Sequence, residues 1–221
     1  MSYKLDLHTH SFGSADGGLR LLDYRQALVR GYLDYIAITD HDTIAAAVHI
    51  KAALHELGDR IIVGEEVMTT EGEIIGLYLH SPIPSGLALS EAVRRVKDQG
   101  GIAYVPHPFE TVRSGISLAA LDTIASEVDI VETCNGRAIF QNRGMQASAW
   151  AARHDKPGAA SSDSHGRLGW LQTYTLIGQV PTRDSLTELL GQATYSVRTV
   201  GMGLLYPKYN RFMKRMSRGS V

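Results

Sequence analysis

Apolar and polar positions alternate along this chain with two different periods. Short runs in which every second residue, or nearly every residue, is apolar predict strands at 3–8, 34–39, 61–68, 73–79, 102–106, 128–132, 157–162 and 172–177. Between them, apolar residues at three- and four-residue steps predict helices near 20–30, 43–57, 88–99, 117–126, 138–154 and 182–192. This alternation is the pattern of βα units on a largely parallel sheet, repeated often enough to close a barrel. Neither a Pro/Gly/Ser linker nor a low-complexity block or internal repeat divides the chain, so residues 1–221 read as a single domain. Helix 43–57 is Ala-rich, with Gly58 as its stop and Ile44, Val48, Ala52 and His55 as its apolar stripe. His49 and His55 on it read as solvated or core-edge residues, and His154 as a cation near a helix C-terminus.

A chain of 221 residues can bury roughly 70–75% of its unfolded surface, so it needs no disulfide. Cys134 is the only cysteine, which excludes an intramolecular disulfide and fits a reducing compartment. No apolar stretch approaches the ~20 residues of a membrane helix, and no basic segment followed by an apolar run opens the chain. The sequence therefore reads as soluble and cytoplasmic, without a membrane partner. Twenty-two Lys and Arg against 23 Asp and Glu give a formal charge of −1, so an anionic substrate must be captured locally. From about residue 206 a basic tail carries Lys208, Arg211, Lys214, Arg215 and Arg218. It reads as a solvated or frayed end, with contact to a phosphate-rich ligand as the alternative.

Five of the nine histidines, His8, His10, His41, His107 and His165, stand just past a predicted strand or in the loop after it. In parallel α/β architectures these loops gather at the carboxyl ends of the strands, where ligands bind. His8 and His10 project to the same side of an extended segment and can hold one cation. Acidic residues accompany the histidines: Asp16, Asp40, Asp42, Glu65, Glu66 and Asp163. Imidazole suits zinc, iron or manganese, and bridging carboxylates place two cations about 3.5–4 Å apart, so a multinuclear site is chemically sensible.

The run DLHTHS with Asp16-Gly17 after it, then ITDHDT, GEEVMTTEGEIIGLYL, GGIAYVPHP, DIVETCNGR and SSDSH, resembles the polymerase and histidinol phosphatase (PHP) family in motif content and order, over residues 5–166. The resemblance implies a PHP-like α/β fold, a distorted, TIM-like (β/α)7 barrel, and metal-dependent hydrolysis of phosphate esters. It implies that His8 and His10 ligate a first metal, that Asp163 closes that site, and that Glu66 bridges to a second metal held by His107. Asp16, His41 and His165 match the third site of trinuclear members. Two or three divalent ions, of zinc, manganese or iron, follow from this.

Glu66 is preferred to Glu65 because the family places its acid two residues after a glycine, here Gly64. Period-2 alternation also sends the two glutamates to opposite faces, leaving Glu65 solvated or behind the ligands. Many members carry another histidine in or just after the strand corresponding to 73–79. Here only Glu73 and His80 are near, neither aligns cleanly, and His80 reads as a loop histidine before Pro82.

Phosphate binding is assigned to Arg113, Arg137 and Arg143, since a guanidinium grips two phosphate oxygens at once, with Arg167 a weaker candidate. Cys134 reads as a small buried thiol. The expected mechanism is attack of a metal-bound hydroxide on phosphorus, which fits the absence of a Gly-x-Ser-x-Gly elbow. His165 or Asp40 is the candidate general acid, or water serves; Asp40 and Asp42 can instead orient imidazoles. The expected enzyme is a phosphoesterase acting on phosphate monoesters or short nucleotide substrates. Alternatives are a 5′-3′ exonuclease on short oligonucleotides, a histidinol-phosphatase-like enzyme, or a non-catalytic metal-binding regulatory module.

Overall fold

In the computed structural model, which describes residues 2–139, 141–199 and 201–218, all eight expected strands form. They are β1 (Tyr3–Asp6), β2 (Tyr35–His41), β3 (Ile61–Thr69), β4 (Gly72–Leu77), β5 (Ile102–Val105), β6 (Ile130–Asn135), β7 (Gly158–Ser161) and β8 (Tyr174–Ile177), joined by a short β9 (Thr194–Ser196). The sheet runs β7-β6-β5-β4-β3-β2-β1-β8-β9. β1, β2 and β3 are mutually parallel, as are β5, β6 and β7. β4 is antiparallel to both neighbours, because the Thr70–Glu71 turn joins it to β3 without a helix.

The sheet curls into a nearly closed barrel. Past the ends of β1 and β7, Thr9 and Ser164 form a parallel bridge, His10 N–H donates to the Ser164 carbonyl, and Asp163 N–H donates to the His8 carbonyl, both at 2.9 Å. Lower down, Thr175 Oγ1 on β8 accepts from Ala160 N–H on β7 at 2.9 Å.

The helices are α1 (Leu21–Val29), α2 (Ala45–Ala53), α3 (Leu89–Asp98), α4 (Leu118–Thr123), α5 (Gly144–Arg153), α6 (Leu186–Leu190) and α7 (Tyr206–Arg218). Helix α3 buries Leu89, Ala92, Val93 and Val96 and turns the Glu91–Arg94–Asp98 ion pairs outward. Helix α2 departs from expectation. Its buried residues are Ala46, Ala47 and Ile50, while Val48 and Ala52 face solvent, because an alanine-rich face lets the helix sit close on β2 and β3. It also stops before Gly58: His55 is left-handed (φ 46°) and starts a 3-10 turn, His55–Arg60. Helix α5 begins six residues later than expected, because Arg137 N–H donates to Asn135 Oδ1 at 2.8 Å, a side-chain turn that competes with helix.

Apolar residues inside the barrel, among them Leu5, Ala37, Ile62, Leu77, Tyr104, Ile130 and Ala159, form one core; the helices pack two further cores against the outer face. The basic tail is not frayed. It forms α7, which lies over the end of the barrel where β1 and β7 finish, while residues 219–221 and the Arg218 side chain fall outside the described parts. Among the described residues, no helix is long and apolar enough to cross a membrane.

Candidate metal centre

Strand parity carries side chains inward above the apolar floor. Ala37 and Ile62 belong to the inner core, so His41 on β2 and Glu66 on β3, an even number of residues further on, face the same interior, and the register sets them side by side. Glu66 also pairs with Ile75 on β4, and Glu73 lies two residues from Ile75 on that face. Since β4 runs antiparallel, its start lies at the end of the barrel where the parallel strands finish. Glu73 therefore enters the site and His80, beyond the far end of β4, leaves it: His80 is exposed and its N–H donates to Gln99 Oε1 at 3.1 Å.

His8 Nε2 and His10 Nε2 lie 3.1 Å apart. Glu66 Oε2 is 3.3 Å from the first and 3.2 Å from the second, and Asp163 Oδ1 is 3.6 and 3.5 Å from them. The other Glu66 oxygen, Oε1, is 3.1 Å from His107 Nε2, and Oε2 is also 3.3 Å from His41 Nδ1. Glu73 reaches His41 Nδ1 at 3.6 Å and His107 Nε2 at 3.7 Å. Asp16 Oδ1 is 3.7 Å from His41 Nε2, and Asp16 Oδ2 is 3.7 Å from His165 Nε2. All eight residues expected to ligate metal thus meet in one place, with Glu73 as a ninth.

A buried frame holds these groups. Glu132 on β6 meets His8 Nδ1 at 3.2 Å and accepts from His107 N–H at 2.7 Å, Tyr104 Oη at 3.0 Å and Asn135 Nδ2 at 2.8 Å. In the sequence its signal is a glutamate that follows two apolar strand residues, Ile130 and Val131. The frame also holds strained backbone: His107 (φ 26°) and Asp163 (φ 50°) are left-handed, at roughly 1–3 kcal/mol each.

Asp40 is fully buried and committed, accepting from Ser11 N–H at 2.7 Å, Ser11 Oγ at 2.5 Å and Ser14 Oγ at 2.8 Å. Ser14 Oγ lies 3.3 Å from His10 Nδ1, so Asp40 positions an imidazole through a serine and does not reach the cleft. Asp42 instead accepts from Met68 N–H at 2.9 Å. Glu65, on the outer face, is buried rather than solvated and accepts from Ile83 N–H at 2.7 Å; burial raises its carboxyl to about 7.

Charge is shared unevenly. Burial would strip a proton from His8 and His10, but facing carboxylates overcome it: His8, beside Glu66, Asp163 and Glu132, is held well above the ordinary imidazole range, and His10, bonded to Asp163 and Glu66, at about 9. Burial opposes ionisation of Glu66 and Asp163 too. The neighbouring charges win, His8 and His41 for Glu66, Arg137 and His8 for Asp163, and hold both well below the usual carboxylate range. Burial and the Glu66 charge push Glu73 up to about 10, so it is neutral. Burial also lowers His41 and, with the His10 charge, brings His165 well down.

The cleft over this cluster measures about 360 Å³ and is lined by Arg113, Arg137, Lys208 and Arg211 as well as Asp16, His41, Glu73, His107, Asp163 and His165, with His8, His10 and Glu66 buried beneath it. Arg113 Nη1 donates to Asp163 Oδ2 at 2.6 Å and Asn135 Oδ1 at 2.7 Å, and Arg137 Nη1 donates to Asp163 Oδ1 at 3.0 Å. Arg137 Nε is buried without a partner. Arg143 lines a different small cavity, behind Glu132, and Arg167 pairs with Asp23 at 2.6 Å. Cys134 is half-buried and lies outside the cleft lining. His49 and His55 are exposed, and His154 stacks on Trp150 at 4.2 Å at the end of α5. A larger groove of about 480 Å³ between Phe109, Leu118 and Arg153 contains none of the ligand candidates.

The donor set fits divalent ions. Two imidazole nitrogens 3.1 Å apart, both facing carboxylate oxygens, can share either a proton or a cation. Groups of three ligand atoms within 4.8 Å of one another recur: His8, His10 and Glu66; His8, His107 and Asp163; His41, Glu66 and Glu73; His10, His41 and His165. Mixed imidazole and carboxylate sets of this kind suit zinc, manganese and iron.

The chain is similar to several known proteins. An uncharacterised protein of Methanocaldococcus jannaschii is 34% identical over 150 residues, covering 63% of this chain and 87% of that protein. A 5′-3′ exoribonuclease of Haemophilus influenzae is 31% identical over 106 residues, 46% of this chain and 38% of that protein. A two-domain protein of Bacteroides vulgatus, containing a predicted PHP-like metal-dependent phosphoesterase, superposes with a TM-score of 0.72 at 18% identity, over 90% of this chain and 65% of that one. The model of the PHP domain matches residues 6–155, more than half of the sequence, and the chain therefore belongs to the PHP domain family.

Proposed function

We propose that this protein is a metal-dependent phosphoesterase that hydrolyses phosphate monoesters or short nucleotide substrates in the cytoplasm. The observation that carries the reading is the convergence of His8, His10, Glu66 and Asp163 on one point beneath a cleft rimmed by arginines. His8, His10 and Asp163 would hold one ion, His107 and Glu73 a second with Glu66 between them, and Asp16, His41 and His165 a third. When bound, such ions lower the pKa of water and neutralise phosphoryl oxygens.

The chain's own groups do the rest. Glu132 keeps His8 oriented through Nδ1, and Asp40 does the same for His10 through Ser14. Arg137, on the cleft lining, would meet a phosphate oxygen, and Arg113 stands beside it on Asp163. His165 Nδ1 is 3.0 Å from the Asp163 carbonyl and 3.1 Å from Arg137 Nη1, which can only donate; the tautomer that donates to the carbonyl forgoes the arginine and leaves Nε2 as a lone pair beside Asp16. An imidazole cannot ligate and donate through the same nitrogen. With Asp40 committed elsewhere and His165 neutral with Nε2 bare, the leaving group takes its proton from water.

A second reading, a 5′-3′ exonuclease on short oligonucleotides, has support from the Haemophilus influenzae relative and from Lys208 on the cleft wall, where a neighbouring phosphate could lie. Phosphate release from an aryl phosphate, a nucleoside monophosphate and a short oligonucleotide, each with defined Mn²⁺, Zn²⁺ or Fe²⁺, tests both. Turnover of the small esters supports the first, turnover of the oligonucleotide alone supports the second, and metal uptake without any turnover leaves a binding module.

A further inference from the structure

Helix α7 lies beyond residues 6–155, yet it touches two of the loops that supply ligand candidates. Asn210 Nδ2 donates to the Asp16 carbonyl at 2.7 Å and to the His165 carbonyl at 2.8 Å, tying the loop after β1 to the loop after β7. Arg211 Nη2 donates to Asp16 Oδ2 at 2.6 Å. Lys214 Nζ donates to the carbonyls of Phe12 and Gly17 at 3.0 and 2.8 Å, and also to that of Ser14. Tyr206 lies so close over Gly166 that a Cβ there would stand 2.6 Å from its ring, so α7 seats directly against the residue following His165.

The partition of Asp16 is the informative part. Its carboxylate is buried, Arg211 takes Oδ2, and Oδ1 is left with no hydrogen-bond partner, 3.7 Å from His41 Nε2. A buried carboxylate with one oxygen held by a guanidinium beside His165 and the other bare toward His41 is oriented for a cation between the two imidazoles.

We propose that α7 assembles the Asp16, His41 and His165 cation site, with Arg211 and Asn210 as positioning residues that act through Asp16 and His165. The inference rests on the reading of the cluster as a metal centre. It goes further by making one of the ions dependent on a C-terminal helix that the family match does not include. Among the described residues, Asn210 and Arg211 make no hydrogen bond or ion pair with His8, His10, Glu66 or His107, so the ions held there should not depend on these two residues.

The test is Mn²⁺ uptake by the full-length metal-free protein, counted by equilibrium dialysis with elemental analysis, for the wild type, Arg211→Ala, Asn210→Ala and Arg211→Lys. The expected result is three ions in the wild type and, in both alanine variants, one ion bound about 10- to 100-fold more weakly with the others unchanged. Arg211→Lys, which returns a cation to Asp16, should recover much of the loss. Wild-type uptake of fewer than three ions, alanine variants that bind like the wild type, equal weakening of every ion, or no recovery in Arg211→Lys overturns the proposal. Unchanged melting temperatures of the metal-free variants show that the helix is still folded; a variant that melts early is replaced by Asn210→Ser. Aryl phosphate turnover by the wild type is read separately, so failure of the α7 proposal and failure of the phosphoesterase reading are distinguishable.

Discussion

His8 Nε2 and His10 Nε2 stand 3.1 Å apart with Glu66 Oε2 within 3.3 Å of both, an arrangement that stacks donor atoms around one point inside a barrel. His10→Ala should remove both metal and phosphatase activity, with turnover down by more than about 100-fold, while the far-ultraviolet spectrum is unchanged. Metal analysis and kinetics on the same sample check this, and full turnover in the variant rejects the assignment. Asp163→Ala should do likewise. It is the less clean probe, because it also strands Arg113 and Arg137, both mostly buried beside it.

Glu132 touches no proposed ion, but it fixes His8 and the left-handed His107 backbone together. Glu132→Gln should weaken metal binding by about 10- to 100-fold without abolishing it. Titration calorimetry with Mn²⁺ measures this, and an unchanged affinity removes Glu132 from the centre.

Arg137→Ala should raise KM for an anionic substrate by about tenfold and change metal content far less, since Arg137 meets the centre from one side, at Asp163 and His165 Nδ1. Equal KM in variant and parent removes Arg137 from the substrate site.

Proton linkage gives a further expectation. His10 sits at about 9 in the metal-free protein and His8 is also raised, so protons are shared on this pair at pH 7. A divalent ion must displace them. Binding should therefore release protons into weakly buffered solution, and apparent affinity should rise with pH up to about 9. Binding without proton release contradicts the ligand assignment.

Asp6 makes a stability prediction. Burial raises its carboxyl from 3.8 to about 7, so folding favours the protonated form. Its contribution is complete below pH 3.8 and is lost as pH rises toward 7, a difference on the order of 4 kcal/mol. Asp6→Asn should flatten the denaturation midpoint across that window, and an unchanged pH profile would count against it.

Most of the fold was legible because strand and helix periods survive in the sequence, and most of the site because histidines gathered at strand ends. What escaped did so for identifiable reasons. The choice between Glu73 and His80 depends on strand direction, which periodicity does not encode, and the antiparallel β4 decides it. Glu132 hid inside an apolar strand, where its partners, His8 and Tyr104, are 124 and 28 residues away. Helix α7 reads as a solvated tail because its polar residues, Asn210, Arg211 and Lys214, face the barrel while Tyr209 and Phe212 face outward. Asp40 resembles an acid in sequence, and only its three short bonds to Ser11 and Ser14 show it to be occupied.

The most direct test of the metal centre is anomalous diffraction from a crystal soaked in Mn²⁺ or Zn²⁺. The expected result is a peak at bonding distance, about 2.0–2.2 Å, from His8 Nε2, His10 Nε2 and an Asp163 oxygen, with Glu66 shared with a neighbouring peak. A map with no peak at that point, in crystals whose solvent holds the ion, would contradict the account.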